Sequence, residues 1–347
     1  MQRVLTPAWW LGDGGRRVGA IALVAGIVIA GPLLDGAGES FWMMALTRAL
    51  ILGVLAVATN VAWGVTGIFT LGQAVFFGVG AYVVGLLATR EDVVALESLA
   101  GAALGAGLLC GLVVGAFLFF GRRRVGMLYV GLVTLALSYA LERLASVWGE
   151  IGAGNGITGI PLPTLLGTEI EPGISFFWVA VVTLLVVLGL AWAVMRSQFG
   201  MVMRAIRDDD ERAEFLGYRR PIVQLVVFAA TGGVGALAGG LYALEEGFVS
   251  PTFLGVSLST QVLIYVLLGG RDSLVGPLVG VLLLEVGGQR VQEELPTEWP
   301  IIVGAVLLLV ILFLPNGLTQ LGRRRRRAAA PRPETAAEVS GGDPRGE

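Results

Sequence analysis

Long apolar runs, each near the roughly 20 residues a helix needs to cross the hydrocarbon core of a bilayer, recur along this whole amino-acid sequence. They lie at 18–36, 41–62, 68–88, 99–120, 126–147, 174–195, 221–242, 254–269, 275–290 and 299–315. The expected fold is all-α: a polytopic membrane helix bundle of about ten transmembrane helices. Only 14% of the 347 residues are charged, against about a quarter in soluble domains. Residues 66–89 and 254–290 are broken up by glycine and polar side chains. Each of these admits half-helices or a re-entrant turn instead of complete spans, since irregular backbone at membrane depth is tolerated where protein or a water-filled cavity receives it.

Charge placement orients the bundle. Cytoplasmic connections carry an excess of basic residues. With the N-terminus inside, Arg3, Arg16, Arg17, Arg122 to Arg124, the six arginines from Arg196 to Arg220, Arg271 and Arg323 to Arg327 all fall on the cytoplasmic side. Arg90 and Arg290 fall outside. Acidic residues collect on that exterior side, among them Asp35, Glu39, Glu150, Glu245, Glu246 and Glu294. Both termini are then cytoplasmic, in a multi-pass protein of the plasma membrane. Residues 1–17 read as a cytoplasmic N-terminal segment and 18–320 as a transmembrane domain with a cytoplasmic loop at 196–220. Residues 321–347 read as a basic, disordered tail whose arginine run meets anionic lipid headgroups.

All 24 basic residues are arginine; the chain has no lysine and no histidine. A Walker A phosphate loop needs its lysine and a Ser-His-Asp triad its imidazole, so neither chemistry is available. Cys110, the single cysteine, forms no intrachain disulfide and joins no metal-binding cluster. No catalytic residue, metal ligand or bound cofactor is expected, and no nucleic-acid partner.

Glycines spaced four apart lie on one helix face and let backbones approach. Gly101 and Gly105, the series Gly107, Gly111 and Gly115, and the pairs Gly235 and Gly239, Gly276 and Gly280 have this spacing. They serve general packing or a subunit seam. The segment from Asn60 to Thr89 adds polar groups at membrane depth: Asn60, Thr66, Thr70 and Gln73, interleaved with Gly64, Gly67, Gly72, Gly78 and Gly80. Such groups either hydrogen-bond between helices or line a path for a polar solute. Charges within the spans are few, namely Arg48, Glu142, Arg143 and Glu285, and only Glu285 reads as a lone carboxylate. That argues against a proton relay. The exterior segment Gly152 to Pro163 is a turn-rich connection or a contact surface.

The stretch from Arg196 to Arg220 is charge-dense between two apolar runs. The pattern predicts a helix over about Met201 to Leu216, ended by Gly217 and Pro221. Val202, Ala205, Ile206 and Ala213 give it an apolar face, and Arg204, Arg207, Asp208 and Glu211 face water or a partner. It is either a solvated loop or a short amphipathic helix that fits a groove on a cytoplasmic protein.

Four blocks carry a resemblance, in order: Asn60 to Tyr82, Gly154 to Pro161 (GNGITGIP), Ser197 to Tyr218 (SQFGMVMRAIRDDDERAEFLGY) and Val266 to Gly280, with LPNGL at Leu314 to Leu318. Over roughly residues 45–320 the chain resembles the branched-chain amino-acid permease family of ABC importers, in particular its LivM-like half. The resemblance implies a transport subunit, not an enzyme. It also implies a second, LivH-like permease, two cytoplasmic ATP-binding subunits that hold ATP and Mg, and an exterior solute-binding protein. Gly200, Arg204, Arg207, Glu211, Ala213 and Gly217 would couple to the ATPases. Arg212 stands where the coupling motif usually has a second alanine, and Gln73 where many relatives have histidine. Asn60, Thr66, Gly67, Thr70 and Gln73 would line the path. Branched-chain or other neutral, hydrophobic amino acids are the expected cargo. Urea or a short-chain amide, or a stand-alone secondary transporter, is the alternative.

Overall fold

The computed structural model describes residues 14–36, 38–121, 126–271, 273–295 and 297–313. Arg3, Arg122 to Arg124, Arg323 to Arg327, the LPNGL block and the tail at 321–347 lie outside the described residues.

Thirteen helices follow one another among these residues. They are α1 (Gly14–Gly36), α2 (Ser40–Asn60), α3 (Gln73–Arg90), α4 (Leu96–Phe119), α5 (Met127–Val147), α6 (Ile174–Arg196), α7 (Gln198–Asp208), α8 (Asp210–Phe215), α9 (Arg220–Glu246), α10 (Val256–Gly269), α11 (Gly276–Val281), α12 (Gln289–Glu294) and α13 (Trp299–Phe313). Six stretches are long and apolar enough to cross a membrane: Ser40–Val65, Gln73–Arg90, Leu96–Phe119, Leu128–Val147, Ile174–Arg196 and Arg220–Glu246. Four more apolar helices are shorter, at Val24–Gly36, Val256–Gly269, Gly276–Val286 and Ile301–Val310. At 1.5 Å per residue, the 14-residue α10 is about 21 Å long, short of the roughly 30 Å hydrocarbon core. The expected spans at 254–269 and 275–290 are therefore a hairpin of short helices.

The middle of the bundle is α2. A helix that is apolar all round is a buried one, and every residue from Ala49 to Asn60 is buried. It packs against α6, α9, α10 and α11. Beside it, α3, α4 and α9 form a slab held by glycine. A Cβ at Gly80 would run into the Ala236 carbonyl, one at Gly239 into the Phe77 carbonyl, and one at Gly107 into Ala236 and the Gly232 carbonyl. The series Gly107, Gly111 and Gly115 is thus the seam between α4 and α9. Gly101 and Gly105, spaced identically, have nothing within 4 Å and face away from the slab.

Contacts between loops assign the segments to two ends. At one, α7 meets the α2–α3 connection, and the turn after α10 meets the same connection, where Arg271 lies over the Trp63 ring at 5.7 Å. At the other, β1 (Ile157–Thr158) pairs antiparallel with β4 (Phe248–Val249), and Arg90 donates to the Glu150 carbonyl. There β2 (Thr164–Leu165) and β3 (Thr168–Glu169) form a two-residue hairpin. Leu166 and Gly167 in its turn have φ of 51° and 84°, the pair of positive values that a type I′ turn requires.

The slab yields a paired prediction. Gly80→Val drives a side chain into backbone, where even ordinary overpacking costs about 1–3 kcal/mol, so it should lower both the melting temperature and the monodisperse yield in detergent. Gly101→Val, with open space around it, should leave both at the parental level.

Candidate coupling surface and polar cavity

At the end of α6 the chain turns sharply into α7. A Cβ at Gly200 would sit 2.6 Å from both the Val194 and Met195 carbonyl oxygens, so only glycine lets α7 fold back this closely. The last carbonyls of a helix lack partners within it. Ser197 Oγ donates to the Val194 carbonyl at 2.6 Å, and Arg204 donates to the carbonyls of Met195 and, at 3.0 Å, Gly200. Desolvation by partial burial pulls the Arg204 guanidinium down from its usual range, while Asp208 pulls it up.

The single helix expected over Met201 to Leu216 is two. Asp209 breaks it, with φ −159° and ψ 96°, and its side chain accepts from the Arg212 N–H at 3.0 Å to cap α8. An aspartate in extended conformation is a preferred N-cap. The other end of α8 closes on Gly217, whose φ is +89°. Gly217 N–H donates to the Glu214 carbonyl at 2.9 Å and Tyr218 N–H to the Ala213 carbonyl at 3.2 Å. This is a Schellman cap, and it explains the spacing of Ala213 and Gly217: they are its first and its left-handed residues. Ala213 is 1% exposed, whereas Phe215 and Leu216 are 91% and 71% exposed, an apolar pair held out beside Glu211. Arg220 pairs with Asp210 and ties α8 to the start of α9. Pro221 stands in the first turn of α9, where its missing N–H costs nothing.

The α2–α3 connection lies against α7. After Asn60 the helix widens into a π turn, Val61–Val65, and the chain then runs without helix to Gln73. Each freed backbone group in a membrane protein needs a partner. Arg207 donates to the Gly64 carbonyl, and its Cγ lies 3.3 Å from where a Cβ on Gly67 would be. Thr66 donates to the Ala62 carbonyl. Asn60 Nδ2 donates to the Ser273 carbonyl at 2.9 Å, joining the connection to the α10–α11 turn. At the start of α3, Leu71 N–H donates to Thr134 Oγ1 (3.1 Å), Gly72 N–H to Thr70 Oγ1 (3.2 Å) and Ala74 N–H to Ser259 Oγ (3.1 Å). Gln73 is 1% exposed, and both its amide atoms lack a hydrogen-bond partner.

Asn60, Thr66 and Gly67 are therefore gathered at the α7 end, and Thr70 and Gln73 one turn further along. Arg207 belongs with them as well as with α7. Arg204 and Arg207, expected to face water or a partner, donate to carbonyls of other elements, on Met195 and Gly64, and Arg207 is exposed as well.

Sequence reasoning passed over a cavity of about 560 Å³ at the opposite end. Arg48, Gln261, Glu285, Gln289 and Gln292 line it together with Leu52, Phe77, Phe253 and Leu258. These residues stand far apart in sequence, and although Arg48 and Glu285 read as charges within the spans, nothing in the sequence brings them together. The available signal was the polar spacing Ser257, Gln261 and Tyr265, which falls on one face of α10.

Residues 42–312 match the family described as "Branched-chain amino acid transport system / permease component". The chain is 28% identical to the high-affinity branched-chain amino acid transport system permease protein LivM of Salmonella typhimurium, over 86% of this chain and 73% of that protein. It is likewise 28% identical to the protein of the same name from Escherichia coli K12, over 80% of this chain and 69% of the relative. With the autoinducer 2 import system permease protein LsrC of Salmonella paratyphi B it shares 29% identity over 63% of this chain and 64% of that protein. No solved structure matches.

Removing the guanidinium that docks α7 tests this geometry. Arg207→Ala leaves the Gly64 carbonyl without its charged donor, a loss of roughly 1.5–3 kcal/mol for a shielded bond and less where water reaches it. Limited proteolysis between Arg196 and Arg220 should accelerate several-fold while membrane yield stays unchanged.

Proposed function

Because the chain belongs to the family of branched-chain amino acid transport permease components, we propose that it forms one membrane-spanning half of an ATP-driven plasma-membrane importer for neutral, hydrophobic amino acids. A second, related permease completes the pore. Two cytoplasmic subunits bind ATP and Mg, and an exterior solute-binding protein delivers the cargo. The two LivM relatives align over more of this chain than LsrC does, which favours amino acids over the other cargo in the family.

The observation that carries the reading is the hydrogen bond from Arg207 to the Gly64 carbonyl. It joins an α7–α8 hairpin presenting Phe215 and Leu216 to the break between α2 and α3. With that hairpin in the cytoplasm, an ATPase groove receives the exposed apolar pair, and Glu211 orients it. Closure of the ATPases on ATP then displaces α8. Short, capped and tied by Asp210 to Arg220, α8 moves as a rigid lever with α7, and Arg207 carries the displacement to the connection. Asn60 passes it on to the α10–α11 turn. The permease rocks between two packed arrangements, and Thr66, Gly67, Thr70 and Gln73 line or gate the path at that end.

Uptake by the assembled transporter in vesicles tests this. Gly217→Pro fixes φ near −65° where +89° is needed, and Glu211→Arg reverses a charge beside the docking pair. Both should insert normally and bring ATP-driven uptake close to background; parental uptake in both overturns the assignment. Gln73→Leu, of similar size, should reduce uptake several-fold with normal assembly, and a parental rate would make Gln73 a packing residue.

A further inference from the structure

The cavity opposite the coupling surface holds charges that do not cancel. Arg48 is engaged by Glu246, with Nε 2.6 Å from Oε1 and Nη2 donating to Oε2 at 3.0 Å. Glu285 lies on the π turn Leu282–Val286 that continues α11. Its Oε1 accepts from Gln261 Nε2 at 2.8 Å and from the hydroxyl of Tyr265. Tyr265 is 0% exposed, so the carboxylate is held from behind by an immobile donor and stands at the cavity wall. Both of these donors are neutral. Beside the ion pair, Glu245 is 6% exposed and has neither carboxylate oxygen hydrogen-bonded. Of these three carboxylates only Glu246 is paired with the guanidinium, in a setting where an unmatched charge is costly.

We propose that this cavity is a binding site for the zwitterionic head of a free amino acid, with Glu285 receiving the ammonium group and Arg48 the carboxylate. The inference rests on the reading of the chain as an amino-acid importer subunit, and names the residues and the ligand chemistry. A guanidinium has five N–H donors; Glu246 accepts from Nη2, with Nε close to it but not hydrogen-bonded, which leaves Nη1 for a ligand carboxylate. Glu285 supplies a carboxyl group fixed by two neutral donors, and an ammonium group gives it three more. Gln289 and Gln292 can turn to either half of the head. The wall of Leu52, Phe77, Phe253 and Leu258 then receives an apolar side chain, and the volume falls within the roughly 300–1,000 Å³ of small-molecule sites. A neutral amide has no use for this charge pattern. Among the described residues no group of three or more His, Cys, Asp or Glu is placed to hold a metal ion, so a divalent cation is not the occupant the geometry suits.

The purified chain in lipid nanodiscs, titrated with tritiated L-leucine, provides the test. Unlabelled competitors are isoamylamine, which keeps only the ammonium, 4-methylpentanoate, which keeps only the carboxylate, and acetamide. Leucine should bind at least tenfold more tightly than any of the three. Glu285→Gln, which preserves shape and removes charge, should weaken leucine and isoamylamine at least tenfold while leaving 4-methylpentanoate unchanged. Tyr265→Phe, which loosens Glu285, should show the same pattern more weakly. Equal leucine affinity in the parent and Glu285→Gln overturns the proposal, as does acetamide competing as well as leucine. Absent leucine binding alongside normal leucine uptake by the assembled transporter overturns this site but leaves the importer reading standing. Absent leucine uptake as well removes both.

Discussion

A membrane-embedded chain that stops being helical must find a partner for every backbone group it releases, and this bundle is organised around one such stop. Between Asn60 and Gln73 the ladder of α2 widens, breaks and restarts as α3. The orphaned groups are met from four directions: Arg207 from α7, Thr134 from α5, Ser259 from α10 and Thr70 from the connection itself. None of these partners is near in sequence except Thr70. Satisfying a dozen residues of irregular backbone therefore fixes the relative positions of α5, α7 and α10. Each substitution of one of these partners, the donor Arg207 or the acceptors Thr134, Ser259 and Thr70, leaves a backbone group without its bond.

Around that stop the bundle divides into a stiff part and a slighter one. Contacts of backbone against backbone, Gly80 on Ala236 and Gly239 on Phe77, leave α3 and α9 no room to slide. Close-packed interfaces of this kind rearrange between discrete states rather than deform continuously. The α10–α11 hairpin is built by the same means at smaller scale, with Gly269 against Gly276 and Gly280 against the Tyr265 carbonyl. Its helices are short, and its tip meets the connection through the Asn60 hydrogen bond and the Arg271–Trp63 contact. A displacement at the connection meets less resistance in the hairpin than in the slab.

Much of this was legible in the sequence, for reasons that also explain what was not. Apolar length reveals spans because the bilayer sets one scale for all of them, so the helical stretches fall on the expected runs. The Glu211 to Gly217 spacing reveals a helix end because a left-handed residue is a local requirement. Glycine spacing identifies a face but not its partner: Gly101 and Gly107 look alike in sequence, and only Gly107 meets another helix. Helical periodicity likewise placed Arg204 and Arg207 toward water or a partner without naming the partner, since the carbonyls they meet, on Met195 and Gly64, belong to other elements. The cavity failed to appear for the same reason. Arg48, Glu246 and Glu285 become one site only when α2, α9 and the α11 extension are brought together.

The central helix joins the two sites more directly than any chain of contacts. Arg48, at the cavity, and Gly64, at the connection, are sixteen residues apart on one continuous helical stretch, a rise of about 24 Å. The segment between them is buried from Ala49 to Asn60, so its neighbours oppose bending along its whole length. A buried helix under such confinement transmits a shift or a rotation from end to end. If Arg207 pulls on Gly64, Arg48 must move relative to Glu246 on α9 and Glu285 on the hairpin. On the proposed function, the ion pair that holds the guanidinium, and its distance to the second carboxylate, would follow the state of the α7–α8 surface. Binding at one end and docking at the other would then be two biases on the position of a single helix, and linkage would require each to alter the other.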